Sequence, residues 1–150
     1  MKETDLFKLI HSTEAVTNEM VIRWTKAFRY NIGISPVLVL WELKTNGPQK
    51  QSVLAAKLGY TAAAITNIAG KLVKEEMAER LADEQDRRMV LLSITEKGED
   101  VLREAHETGT RLRLNMFSVL SEKEVDQYLA INKKLLAALE PGAEVKKERT

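Results

Sequence analysis

The amino-acid sequence predicts a mainly α-helical fold carrying one small β-hairpin. Apolar residues recur at three- and four-residue intervals over most of the chain, and only between Met77 and Ile94 does that period give way to alternation. The clusters Asn31-Ile32-Gly33, Asn46-Gly47-Pro48 and Pro141-Gly142 punctuate the helical stretches. With 150 residues, 44% of them hydrophobic, the chain can bury one core, alone or completed by a second copy of itself.

A first helix of about 25 residues is expected from Thr4, with Leu6, Ile10, Met20, Trp24 and Phe28 on one stripe, interrupted by Thr13 and Thr17. Ser35 is the expected N-cap of a second helix, with Pro36 at its first position, running through Val37, Leu40, Trp41 and Leu43. A short helix from Ser52 to Leu58 turns Val53, Leu54 and Leu58 inward, and Gly59 makes the turn after it. Thr61 then caps a fourth helix whose inner stripe is Ile65, Ile68, Ala69 and Leu72. The alternating stretch reads as a strand at Glu79-Arg80-Leu81, a polar turn from Ala82 to Arg87, and a strand from Arg88 to Ile94. Thr95 caps a long helix to about Val119, in which Gly109 invites a kink. Ser121-Glu122-Lys123-Glu124 is a capping box that opens the last helix, which reaches Leu139. The tail, residues 141–150, is expected to be loose. This order is that of a winged helix-turn-helix, residues 35–98, set between flanking helices.

Composition excludes several classes of function. No cysteine is present, so disulfides, thiolate nucleophiles and thiolate metal sites are ruled out. No apolar run is long enough to cross a bilayer, and Met1–Asp5 is not followed by the apolar core of a signal peptide, so a cytoplasmic protein is expected. His11 and His106 lie on different helices without ligand spacing, and no nucleophile elbow or phosphate-binding glycine loop occurs; neither metal, cofactor nor catalysis is expected.

The formal charge of +1 hides a sorting along the chain. Between Gly47 and Lys74 stand Lys50, Lys57, Lys71 and Lys74 with no acid, whereas Glu75 to Asp86 holds six acids and one base, Arg80. A surface that meets phosphates needs such freedom from carboxylates. On the fourth helix, Ala63, Thr66, Asn67, Gly70 and Lys74 lie opposite the apolar stripe, with Thr61 and Ala62 at its start. Small and hydrogen-bonding side chains of this kind suit a helix seated in a major groove, whereas ordinary solvated faces are rich in Glu and Lys. At the hairpin tip, Arg87 and Arg88 project among acids; an arginine there can enter a narrow minor groove, with Asp86 the expected holder of its guanidinium. Taken in isolation, the same tip reads as a solvated turn with weak ion pairs.

From Asp86 through Gly98 the sequence resembles the wing signature of MarR-type regulators, an Asp-x-Arg followed by an apolar strand and a Leu-Thr-x-x-Gly pattern, here Ile94-Thr95-Glu96-Lys97-Gly98. Leu54-Ala55, Leu58-Gly59, Thr61, Ile65, Thr66 and Leu72 resemble the same family's helix-turn-helix. The resemblance implies one domain over residues 1–150 that works as an obligate homodimer on double-stranded DNA, with residues 4–30 and 99–140 as dimerisation helices. Leu6, Ile10, Leu129, Leu136 and Leu139 fall on them. It implies a transcriptional repressor that reads a pseudo-palindromic operator through a recognition helix at 61–75 and a wing at 80–92. Thr61, Ala62, Ala63, Thr66, Asn67, Lys71, Lys74, Lys50, Asp86, Arg87 and Arg88 are the expected DNA-facing residues. It further implies release by a small aromatic or lipophilic effector, for which Met20, Trp24, Phe28, Trp41 and Met116 are apolar candidates, with Arg23, His11 and Tyr30 available to an anion. Helical spacing favours core packing for the apolar five. Three positions depart from the family pattern: Asn67 where Arg is frequent, Gly70 where an acid is common, and Glu76 where a glycine is usual. The last implies left-handed strain or a differently ended helix. Two other readings stand beside this one: a winged-helix protein-interaction module without specific DNA readout, and a small-molecule enzyme, for which no convergent polar cluster exists.

Overall fold

Six helices and one hairpin follow in the order α1 (Glu3–Ala27), α2 (Ile34–Asn46), α3 (Gln51–Leu58), α4 (Ala62–Lys74), β1 (Ala78–Ala82), β2 (Val90–Ile94), α5 (Glu96–Phe117) and α6 (Glu122–Leu139) in a computed structural model that describes residues 2–142. The helical fold with a hairpin wing is thus as the periodicity predicts. The chain divides into two compact units, Met1–Leu112 and Arg113–Thr150. The expected loose tail, apart from Pro141 and Gly142, lies outside the described residues.

In the first unit the core is built where α2, α3, α4, β2 and the first half of α5 turn their apolar residues together. Leu40, Leu43, Leu54, Ile65, Leu72, Leu92 and Val101 are fully buried. Each such side chain stabilises the fold by about 1.5–3 kcal/mol relative to exposure. Phe28 and Ile32, just beyond α1, close one end of this core, and Trp24 stacks on Phe28 with ring centroids 4.6 Å apart. The Trp24 indole donates to the Ala105 carbonyl at 3.0 Å, fastening the end of α1 to α5.

Several boundaries differ from expectation. α2 begins at Ile34 with Gly33 as N-cap at φ 74°, so Ser35 is not the cap and Pro36 occupies the third helical position. Proline is tolerated there because the first four N–H groups of a helix have no intrahelical acceptor. Val39 rather than Trp41 faces the core, and Trp41 is 54% exposed. On α3, Ala55 takes the inward place expected of Val53. β2 begins at Val90; Arg88 and Met89 belong to the turn. α5 runs unbroken through Gly109 and ends at Phe117.

β1 and β2 pair antiparallel in the register Ala78↔Ile94 to Ala82↔Val90. On the far edge of β2, Gln49 forms an isolated bridge to Leu92, donating at 3.0 Å and accepting at 2.8 Å. That edge residue ties the loop before α3 to the wing.

In the second unit, Ser121 and Glu124 form the capping box of α6, and the Phe117 and Tyr128 rings meet at 5.6 Å. Neither α1 nor α6 buries a single residue. Leu6, Phe7 and Ile10 of α1 are exposed, as are Leu129, Leu136 and Leu139 of α6, the last by 79%.

Candidate nucleic-acid interface

The Thr61 hydroxyl accepts from the Ala64 N–H at 3.1 Å, the N-cap that fixes where α4 begins. From that start the 3.6-residue period buries Ile65, Ala69 and Leu72 and leaves Thr61, Ala62, Ala63, Thr66, Asn67, Lys71 and Lys74 exposed on the opposite side. Nothing lies within 4 Å of a Cβ built on Gly70, so the helix surface is shallow there. Three consecutive alanines, Ala62 to Ala64, open the helix; with the Ala64 N–H taken by Thr61, their small side chains leave the N–H groups of Ala62 and Ala63 open to an anion. The Thr66 hydroxyl donates back to the Ala62 carbonyl at 2.8 Å and also lies 3.4 Å from the Gln51 Oε1 of α3.

α4 ends on a motif visible in the hydrogen bonds: Met77 N–H reaches the Leu72 carbonyl at 2.8 Å and Glu76 N–H the Val73 carbonyl at 3.0 Å. Glu76 supplies the left-handed residue that this ending requires, at φ 60°, and is the one non-glycine residue with positive φ among the described residues. The strain implied by its identity is therefore present.

At the wing tip, Asp86 to Met89 is a β-turn closed by the Met89 N–H on the Asp86 carbonyl at 2.9 Å, with Arg87 and Arg88 at its two central positions. Asp83 and Asp86 each accept from a backbone N–H two residues on, Gln85 at 3.0 Å and Arg88 at 3.1 Å. Asp86 thus holds the Arg88 backbone and not its guanidinium, which corrects the expectation from sequence. Among the described residues no carboxylate lies within 4.0 Å of the charged groups of Lys50, Lys71, Lys74, Arg87 or Arg88. Lys50 is the half-buried N-cap residue of α3.

Lys57 is different. Its ammonium donates to Glu42 Oε1 at 3.0 Å and to Gln49 Oε1 at 2.9 Å, so this lysine of the acid-free segment is committed to partners within the chain. The Lys57 and Asn46 hydrogen bonds hold the Glu42 carboxyl below its ordinary pKa. Sequence reasoning missed this cluster, because its acid stands on α2, outside the acid-free segment.

Of the five apolar effector candidates, four lie in the first unit. Phe28 is core, Trp24 packs against it, Trp41 is exposed on α2, and Met20 is half-buried on α1. Met116 belongs to the second unit. Arg23 is paired with Glu19 at 2.7 Å, and His11 lies 3.4 Å from Glu14. Tyr30 accepts from Arg29, whose guanidinium also lies over its ring and pairs with Glu104. Among the described residues no cluster of His, Asp and Glu could hold a metal ion, and no helix is long and apolar enough to cross a membrane.

Comparison with known proteins agrees with this geometry. The MarR family model matches residues 34–90, from the start of α2 to the start of β2. The chain is 34% identical over 115 residues to the transcriptional repressor MprA of Escherichia coli strain K12, covering 77% of this chain and 65% of MprA, less than two thirds of that protein's length. It is 30% identical over 110 residues to the HTH-type transcriptional repressor MdtR of Bacillus subtilis, covering 72% of this chain and 71% of MdtR. The crystal structure of the Bacillus subtilis YusO protein superposes with a TM-score of 0.78 at 24% identity, over 92% of this chain and 99% of that one, and shows the shared fold. With a capped, acid-free helix presented beside an arginine-tipped wing, and with relatives matched over most of its length, the chain belongs to the MarR family of transcriptional regulators.

Proposed function

We propose that the protein is a homodimeric, cytoplasmic repressor that reads a pseudo-palindromic operator. The observation that carries this reading is the outward face of α4: exposed, free of acids and built from Thr61, Ala62, Ala63, Thr66, Asn67, Lys71 and Lys74. Asn67 can pair bidentately with adenine, the alanine and threonine methyls can meet thymine methyls, and the lysines neutralise phosphates. The wing adds Arg87 and Arg88 for the adjacent minor groove. Two such modules related by a two-fold axis would enter successive major grooves about 34–36 Å apart. The names of MprA and MdtR support repression.

A second copy supplies what α1 and α6 lack, namely cover for Leu6, Ile10, Leu129, Leu136 and Leu139. Exposed apolar residues of that kind, on each helix by itself, mark an association face. An effector would act by preferring a dimer in which the two recognition helices are wrongly spaced, shifting the population by its differential affinity.

Fluorescence anisotropy tests the reading. The full chain is titrated against a duplex recovered by selection from a randomised pool and against random duplexes, over a salt series. Binding of the selected duplex about a thousandfold or more tighter than random DNA, falling log-linearly with salt, is the expected result. Weak or sequence-blind binding would refute it and favour the protein-interaction module.

A further inference from the structure

Three consecutive carbonyls at the end of α4 are taken by three donors from the start of α5. Lys97 Nζ donates to the Glu75 carbonyl at 2.7 Å, the Thr95 hydroxyl to the Glu76 carbonyl at 2.6 Å, and the Thr95 N–H to the Met77 carbonyl at 3.1 Å. The Thr95 oxygen meanwhile accepts from the Gly98 N–H at 3.0 Å, so one hydroxyl both caps α5 and grips the exit of α4. Gly98 makes the approach possible. A Cβ at that position would collide with the Met77 carbonyl oxygen and stand 2.8 Å from Ile94 Cγ1. The contact is therefore a fitted joint: glycine removes the steric block, the threonine hydroxyl uses its proton and a lone pair at once, and the lysine ammonium sits at the negative end of the α4 dipole.

We infer that Thr95, assisted by Lys97, is a positioning residue for DNA readout, setting the angle at which α4 is presented although it lies outside the DNA-facing surface. This rests on the proposal that α4 reads bases. Base-edge hydrogen bonds are short and directional, whereas attraction to phosphates is long-ranged and tolerant of small rotations. Loosening the joint should therefore weaken selected-site binding and spare binding to random DNA. A change that merely reduced the folded fraction would weaken both equally. The geometry also explains why a threonine serves here: valine keeps the shape and loses both hydroxyl bonds, while serine keeps both.

The test compares Thr95→Val, Thr95→Ser and Lys97→Met in the full chain, using the selected and random duplexes across a salt series. Thr95→Val is expected to lose about tenfold in selected-duplex affinity, the scale of effect carried by residues that touch neither partner. Its random-duplex affinity and salt slope should be unchanged, and Thr95→Ser should restore readout. If Thr95→Val is not folded by circular dichroism, Lys97→Met carries the test, with a smaller selective loss expected. Equal losses on both duplexes, no loss on either, or a Lys97→Met effect confined to the salt slope overturns the positioning role. A wild-type protein with no preference for the selected duplex overturns the DNA-reading proposal itself, an outcome distinct from a wild-type preference that Thr95→Val leaves intact.

Discussion

Glu76 sits at φ 60° because the ending of α4 demands a left-handed residue, and a side chain with a Cβ pays for that conformation. Glu76→Gly is expected to raise stability by about 1 kcal/mol in urea denaturation, since glycine adopts the same backbone without the clash. Glu42 gives a second expectation at this scale. Its folded pKa lies below the ordinary carboxylate value because Lys57 and Asn46 bond the ionised form. The stability it contributes is therefore present above the unfolded pKa and lost as pH falls through the lowered folded value. Urea midpoints followed from neutral pH to about pH 3 should fall less steeply for Lys57→Met than for the wild type. The Thr61 cap was legible in sequence because it is settled by neighbours within one helical turn, and the Glu76 anomaly through the family resemblance, as a residue standing where a glycine is usual. The Lys57–Glu42 pair was not, because it joins residues brought together by the packing of α3 against α2.

Elements followed the same rule. The start of α4 was readable from Thr61, and of its expected apolar stripe the structure buries Ile65, Ala69 and Leu72 and leaves Ile68 half-buried. The sequence puts the start of α2 too late because Ser35-Pro36 imitates a cap and first turn, whereas Gly33 bends the chain one residue before Ile34. The sequence pattern extends the second strand to Arg88 because Arg88-Met89-Val90 continues an alternation that the Asp86 turn interrupts. The wing tip is accordingly a pre-folded loop, its two aspartates spent on backbone N–H groups. Arg88→Ala is expected to leave the thermal midpoint unchanged and to weaken selected-duplex binding by about 1–3 kcal/mol in anisotropy titrations. Unchanged affinity at physiological salt would remove the wing from the interface.

For the whole molecule the governing fact is that α1 and α6 keep their apolar faces uncovered while the module between them has a finished core. Leu136→Glu is expected to shift the protein to monomer in sedimentation velocity, with the circular dichroism of the winged module retained. The thermal midpoint of the wild type should rise with protein concentration, and that of the variant should not. Periodicity showed the apolar stripes but could not tell a core stripe from an association stripe, since both obey the same spacing; only exposure in the folded chain separates them. The charge sorting has a kinetic consequence. From Asp83 to Arg88 the wing carries one more negative charge than positive, so in the proposed complex its net field would not draw DNA in, and steering would fall to Lys50, Lys71 and Lys74. In that complex the wing arginines would act chiefly as a latch: their loss should shorten the residence time on DNA, with a smaller slowing of association, greatest at low salt, as the uncompensated Asp83, Glu84 and Asp86 repel the duplex.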